Sequence, residues 1–402
     1  MNFIAALAEQ VTSEWARSDF EAQALPAIAA RHLTGALDFD TSGVIAEISG
    51  ASNLPEQRRA DQSFGQPGVT LYSDDRFEIE VLFWHTATPA IHEHGFAGAF
   101  RLLSGRSVHC TYNFDAEDSR DGVITGQLRR RDIALLRPGQ GTEIPQGEAL
   151  IHSVFHIDSP SVSLVVRTHQ SGNRELTYLP PGVAYDTRAR SPAQHKRLQL
   201  LDMLATTRHP DYARTMNTLL ERGALDDALA GLIRIGGHGV DDAQYAAAEE
   251  SLRARFAEFA GLPTVIDGAR EERRRSQLVL QRHVMSTPDS RMFLALLLGC
   301  ETREELIAAA ENQNPDRATA LDFIAESAAQ LIGGDDTRRL LVKKAVRTRL
   351  EQGNSADFLR AVCAISAEPI SHEQTETLLR LDAAVGAHPL LTTVFRFGGE
   401  AS

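Results

Sequence analysis

The chain has 402 residues, 43% of them hydrophobic and 24% charged, a balance that suits two or three packed units and excludes a disordered chain. Lys and Arg number 41 against 54 Asp and Glu, a formal net charge of −13 with His neutral; such a field repels phosphate backbones and argues against a nucleic acid partner. The three cysteines, Cys110, Cys300 and Cys363, lack CxxC spacing, which argues against a disulfide framework or a zinc knuckle and suits a reducing compartment, with the cytoplasm as the default address.

The first segment, residues 1–64, reads as helical. Phe3, Ile4, Leu7, Val11 and Trp15 recur at three- and four-residue intervals and would share one face. The stretch lacks a basic leader and a long apolar core, so it is not expected to be a secretion signal. From about Ser63 the pattern changes to alternation, as in GVTLY, FEIEVLFW, GRSVHCTYNF and SVSLVVRTH, punctuated by Gly, Pro and Asp. Short strands without intervening helices predict an antiparallel sandwich or barrel over residues 65–190. After Ser191, an N-cap followed by Pro192, helix signals continue to the end, and segments such as LLERG and RLEQGN close on Gly or Asn. Residues 191–402 are therefore expected to form an all-α domain, with no nucleophile constellation or phosphate loop; its expected roles are dimerisation, lidding the barrel or docking a protein partner. MFLALLLGC, the longest apolar run, is far short of the ~20 residues that span a bilayer, so no membrane segment is expected.

Within the strand region, His92 and His94 are two residues apart. On a strand both imidazoles project from one face while Glu93 points to the other, which lets them share one metal or leaves them as a surface pair. Further on, Pro145 and Gly147 precede His152, and His156 follows four residues later. His85, His109 and His156 could each orient a ligand or donate a proton to bound oxygen, or simply satisfy backbone carbonyls. Arg167 faces either the pocket, as an anchor for an anionic substrate, or solvent.

Taken together the two stretches resemble the paired motifs of the cupin superfamily: His92, His94 and Gly105 in the first, and Pro145, Gly147 and His152 in the second. The Glu that many cupins carry after the second His is missing, with Ala97, Gly98 and Ala99 in its place. FEIEVLFWHTATPAIHEH and IHSVFHIDSPSVSLVVR further resemble the cysteine dioxygenase branch, over roughly Tyr72 to Arg167, about a quarter of the chain. That branch binds iron through three histidines without the Glu. The resemblance implies an antiparallel cupin-type β-barrel with Fe(II), or another divalent transition metal, on His92, His94 and His152, with His156 as the fallback ligand. It also implies an oxidoreductase adding dioxygen to a small thiol or other chelating substrate, with Arg167, His156 and His85 as catalytic candidates. The competing reading is a non-redox cupin that binds a small molecule or metal and acts through its helical domain.

The departures bear on substrate. Where the branch places a carboxylate-binding Arg before the His-x-His strand, this chain has Ser73, Asp74 and Asp75 before Arg76; Arg167 stands where a Tyr is usual, and Gly98 lies near the place of the cross-linking Cys. These differences point away from cysteine itself.

Overall fold

The computed structural model describes residues 2–34, 41–57, 65–85, 90–169, 174–186, 188–237, 242–366 and 369–395. The chain packs as two compact units, Met1–Arg273 and Arg274–Ser402.

The first unit opens with α1 (Asn2–Trp15), α2 (Leu25–Thr34) and α3 (Thr41–Gly50). Eleven strands follow: β1 (Gly68–Ser73), β2 (Phe77–Trp84), β3 (Ile91–His94), β4 (Gly98–Ser104), β5 (Ser107–Arg120), β6 (Val123–Leu136), β7 (Gly141–Ile144), β8 (Gly147–His156), β9 (Ser161–Thr168), β10 (Leu176–Leu179) and β11 (Val183–Asp186). Then come α4 (Pro192–Thr206), α5 (Tyr212–Arg222), α6 (Leu225–Gly237), α7 (Asp242–Arg255) and α8 (Leu262–Gln281), within which the division between the units falls.

All described strand pairs are antiparallel and make two layers. One is a five-stranded sheet in the order β1-β2-β9-β4-β7; the other is a closed six-stranded barrel, β10-β11-β6-β5-β8-β3, whose seam is the pairing of β3 with β10. Closure removes the exposed strand edges that would invite pairing with another chain. Two glycines shape the turns that enter the site strands. Gly105, between β4 and β5, has φ +80° and lies so close to Ser161 that a Cβ would meet its Oγ at 2.5 Å; Gly147 has φ +72° at the start of β8. Both conformations are ones that side-chain-bearing residues rarely adopt.

The five-stranded sheet is covered on both faces. Its outer face, with Phe77, Ile79, Val81 and Leu164, buries against Leu7, Val11 and Trp15 of α1 and Leu25 and Ile28 of α2. The spacing of the α1 residues is what puts them on one stripe. Its inner face, with Leu82, Phe100, Ile144 and Val165, packs against Leu150 and Val154 of β8. On the far side of the barrel, Val123, Leu179, Val183 and Tyr185 form a core with α4 to α8. Helix α4 starts with a reciprocal cap: Ser191 Oγ accepts from the Gln194 backbone N–H, and the Gln194 side chain accepts from the Ser191 N–H.

The second unit consists of helices in its described residues: the end of α8, α9 (Pro288–Gly299), α10 (Arg303–Glu311), α11 (Arg317–Ile332), α12 (Asp336–Leu350), α13 (Ser355–Cys363), α14 (His372–Gly386) and the short α15 (Thr392–Phe395). Side-chain caps at Thr287, Thr302, Asp316, Asp335, Asn354 and Ser371 start six of them. No helix among the described residues is long and apolar enough to cross a membrane.

Candidate metal centre

The register between β3 and β8 creates the candidate site. His92 lies directly opposite His152, and His94 lies opposite Gly147 across a local irregularity. Leu150 and Val154 flank His152 on β8 and pack toward the five-stranded sheet, so by strand alternation His152 faces that same apolar layer. The ligand atoms of His92, His94 and His152 all lie within 4.8 Å of one another, close enough for one metal ion to bind all three.

Hydrogen bonding orients the rings. His92 Nδ1 lies 3.1 Å from the Ala90 carbonyl, which only accepts, so this nitrogen carries the proton and Nε2 presents a lone pair. That Nε2 is buried without a hydrogen-bond partner, although the residue as a whole is only half-buried. His94 Nε2 and His152 Nε2 are 2.8 Å apart, and His109 Nε2 is 2.9 Å from His152 Nδ1. With the His152 Nε2 lone pair turned to the cluster, its Nδ1–H donates to His109, the arrangement that typically fixes a ligating imidazole.

Burial keeps these rings neutral. Desolvation pushes the pKa of His92 down, against smaller opposing effects of the Ala90 carbonyl and Glu175. Desolvation also holds His94 and His152 well below the usual imidazole range, with the neighbouring histidines adding to it. His109 is lowered to about 4, chiefly by desolvation. Neutral imidazole is the metal-binding form, and an unpartnered buried nitrogen beside two others is a deficit that a metal would fill. The residues present therefore fit a metal ion; three imidazoles alone do not select which one.

Around the cluster, Phe96 lies tilted against His94 with ring centroids 4.5 Å apart, and the Arg167 guanidinium lies 4.7 Å from the Phe96 centroid. Arg167 is 2% exposed. Its place on β9 opposite Glu78 of β2 puts it on the sheet's inner face, and it is held by two carboxylates: Nε donates to Glu80 Oε2 at 2.8 Å and Nη2 to Glu78 Oε2 at 2.9 Å. Nη1 is buried without a partner.

The other sequence candidates lie apart from the three converging nitrogens. Four residues along β8, roughly 13 Å at strand rise, His156 stacks on Trp84 with centroids 4.7 Å apart and bonds to Ser107 Oγ through Nδ1 at 2.8 Å. His85 is exposed and bonds to Ser159 Oγ at 2.7 Å. Glu93, which carried no role in the sequence reading beyond facing away from the histidines, is 2% exposed and accepts from Tyr178 O–H at 2.6 Å. It ties β3 to β10, and no short motif signals this, because Tyr178 is 85 residues away. Phe96 likewise gives no signal of its own in sequence.

No protein-family model and no curated protein matches the chain. Among solved structures, it is similar to one described as "Crystal structures of DMSP lyases RdDddP and RnDddQII", with 17% identity, a TM-score of 0.23 and coverage of 38% of this chain and 78% of that one. It is also similar to the DMSP lyase DddQ from Ruegeria pomeroyi DSS-3, with 16% identity, a TM-score of 0.24 and coverage of 43% and 95%. Likeness at this level establishes neither the fold nor the activity of this chain.

Proposed function

We propose that the chain is a cupin-type mononuclear metal enzyme, an Fe(II) oxygenase adding dioxygen to a small thiol or other chelating substrate. The observation that supports this reading is the convergence of three neutral imidazoles, with His92 Nε2 buried and without a hydrogen-bond partner among them. When bound there, ferrous iron would supply open positions at which substrate and dioxygen can meet.

The chain's own residues supply the rest. His92, His94 and His152 are the ligands in this reading, and His109 holds His152 in the tautomer that turns its Nε2 lone pair to the cluster. Leu82, Phe100, Leu150 and Val165 form the buried apolar layer that His152 faces. Arg167 offers Nη1 to an anionic group of the substrate. Glu78 and Glu80 offset its charge, so it contributes a directed hydrogen bond more than a net positive field. His156 is held by Ser107 and Trp84, and His85 by Ser159, apart from the three ligands.

The rival reading is a metal- or ligand-binding module without redox chemistry. Metal analysis of the purified full chain, followed by oxygen-uptake measurements across a panel of small thiols after loading with ferrous iron, separates the two. Stoichiometric iron with thiol-dependent oxygen consumption is the expected result. Stoichiometric metal without oxygen consumption would favour the binding module, and a folded chain that holds no metal would overturn both.

A further inference from the structure

The first unit carries a second feature, on its helices. On α4, Arg197, Leu200 and Leu201 fall at i, i+3 and i+4; on α5, Thr215, Thr218, Leu219 and Arg222 recur at the same spacings, so each set shares one helix face. The two faces, with Arg214 and Gly223, line a cavity of about 350 Å³, at the lower end of the roughly 300–1,000 Å³ typical of small-molecule sites. Its walls are leucines, with Leu201 fully buried and Leu200 47% exposed, and Met203 beside it on α4 is also 47% exposed.

The charged residues that line this apolar floor are all arginines. Arg197, Arg214 and Arg222 all line it. Arg214 is engaged by Asp211 at 2.9 Å. The Arg197 side chain makes only a 3.4 Å bond to the Ala193 carbonyl of its own helix, and the Arg222 side chain has no hydrogen bond or ion pair among the described residues. Elsewhere on these helices guanidinium groups meet carboxylates: Arg234 with Asp202, Arg253 and Arg270 with Glu249, and Arg273 with Asp242. In a chain of net charge −13, two uncommitted guanidiniums beside exposed leucine make a local cationic, apolar patch that suits a ligand with a negative head and a greasy body.

We propose that the α4–α5 groove is a binding site for a small soluble amphiphilic anion, with its alkyl part on Leu200, Leu201 and Leu219 and its head on Arg197 and Arg222. This goes beyond the metal-centre reading and does not depend on it, since none of these residues belongs to that site.

Isothermal titration of the full chain with decanoate and with decyl phosphate, both below their micelle-forming concentrations, tests it and tells a carboxylate head from a phosphate one. Saturable one-to-one binding of at least one of them is expected, weakened at least tenfold in the R197E/R222E double variant and progressively as salt is raised. Decanol and decyltrimethylammonium, which keep the tail but lose or invert the charge, should bind at least tenfold more weakly to the unaltered chain; this comparison needs no variant to fold. Equal binding of decanol, or undiminished binding by a double variant with native circular dichroism, would overturn the proposal. So would self-association abolished by L200E, or recruitment to anionic vesicles, in the absence of saturable anion binding.

Discussion

At the residue scale, the paired histidines were legible because strand alternation alone puts positions 92 and 94 on one face. The choice between His152 and His156 was not, since both follow Pro145-x-Gly147 and share parity on β8. Register separates them: His152 pairs with His92, whereas His156 pairs with Ser107 at the other end of the strand. His109 could be named as a possible orienting group, but its partner depends on how β5 lies against β8, which local sequence does not encode. If the proposed ligands are right, replacing His92, His94 or His152 singly by Ala should reduce bound metal to a trace by elemental analysis, while His156→Ala keeps it. Metal lost from the folded His156→Ala protein but retained by His152→Ala would move the third ligand by four residues. His109→Ala leaves the ligands intact but frees the His152 ring to turn, so affinity measured by chelator competition should fall by ~10–100-fold.

At the element scale, FEIEVLFW was readable as a strand, but why glutamates alternate with its buried apolar residues was not. Their partner, Arg167, lies on β9, 87 residues from Glu80, and the β2–β9 register is a long-range outcome. Because both carboxylates face one buried guanidinium, Arg167→Met should leave Glu80 uncompensated in an apolar layer and lower stability by about 3–5 kcal/mol in a urea denaturation series. A loss below about 1 kcal/mol would mean that the pair is solvated or dispensable. The same network extends to the surface through His169, just beyond β9. Its Nδ1 lies 2.8 Å from Glu78 Oε1 and its Nε2 2.6 Å from the Asp74 carbonyl. Both partners accept, so both nitrogens must donate and the ring is an imidazolium. Burial opposes that charge, but the Asp74 carbonyl and Glu78 outweigh it and raise the pKa. The stabilisation is therefore fully present below the unfolded value of about 6.5 and is lost as pH rises through the higher folded value. An NMR titration, assigned with His169→Gln, should place the His169 midpoint above that of a free histidine; a midpoint at or below it would contradict this arrangement.

At the scale of the whole molecule, the order of helical segment, antiparallel strands and helical region followed from periodicity and punctuation. The division into compact units at Arg273/Arg274 did not, because helices that cover a barrel and helices that pack on one another carry the same apolar stripe and caps. The core shared by Val123, Leu179, Val183 and α4 to α8 has a direct consequence for truncation. A fragment of residues 1–281, which keeps α8 whole, should be monodisperse by size-exclusion chromatography and retain metal. Residues 1–190 would expose that core and should aggregate. A well-behaved 1–190 fragment would show that the barrel does not need its helical cover.

Strand β3 is four residues long, yet it pairs with both β8 and β10 and so carries the seam of the barrel. Two of the three converging imidazoles sit on β3 itself, and the third sits on β8, its neighbour on the side away from the seam. An ion held there would act as a clasp between β3 and β8: it would need those two strands in register to be held by all three rings, and fraying of β3 from β8 would open the way out. The rate of metal escape would then measure how often this one short strand opens, a local event far smaller than unfolding of the unit, and Glu93, by pinning β3 to Tyr178, would help set that frequency.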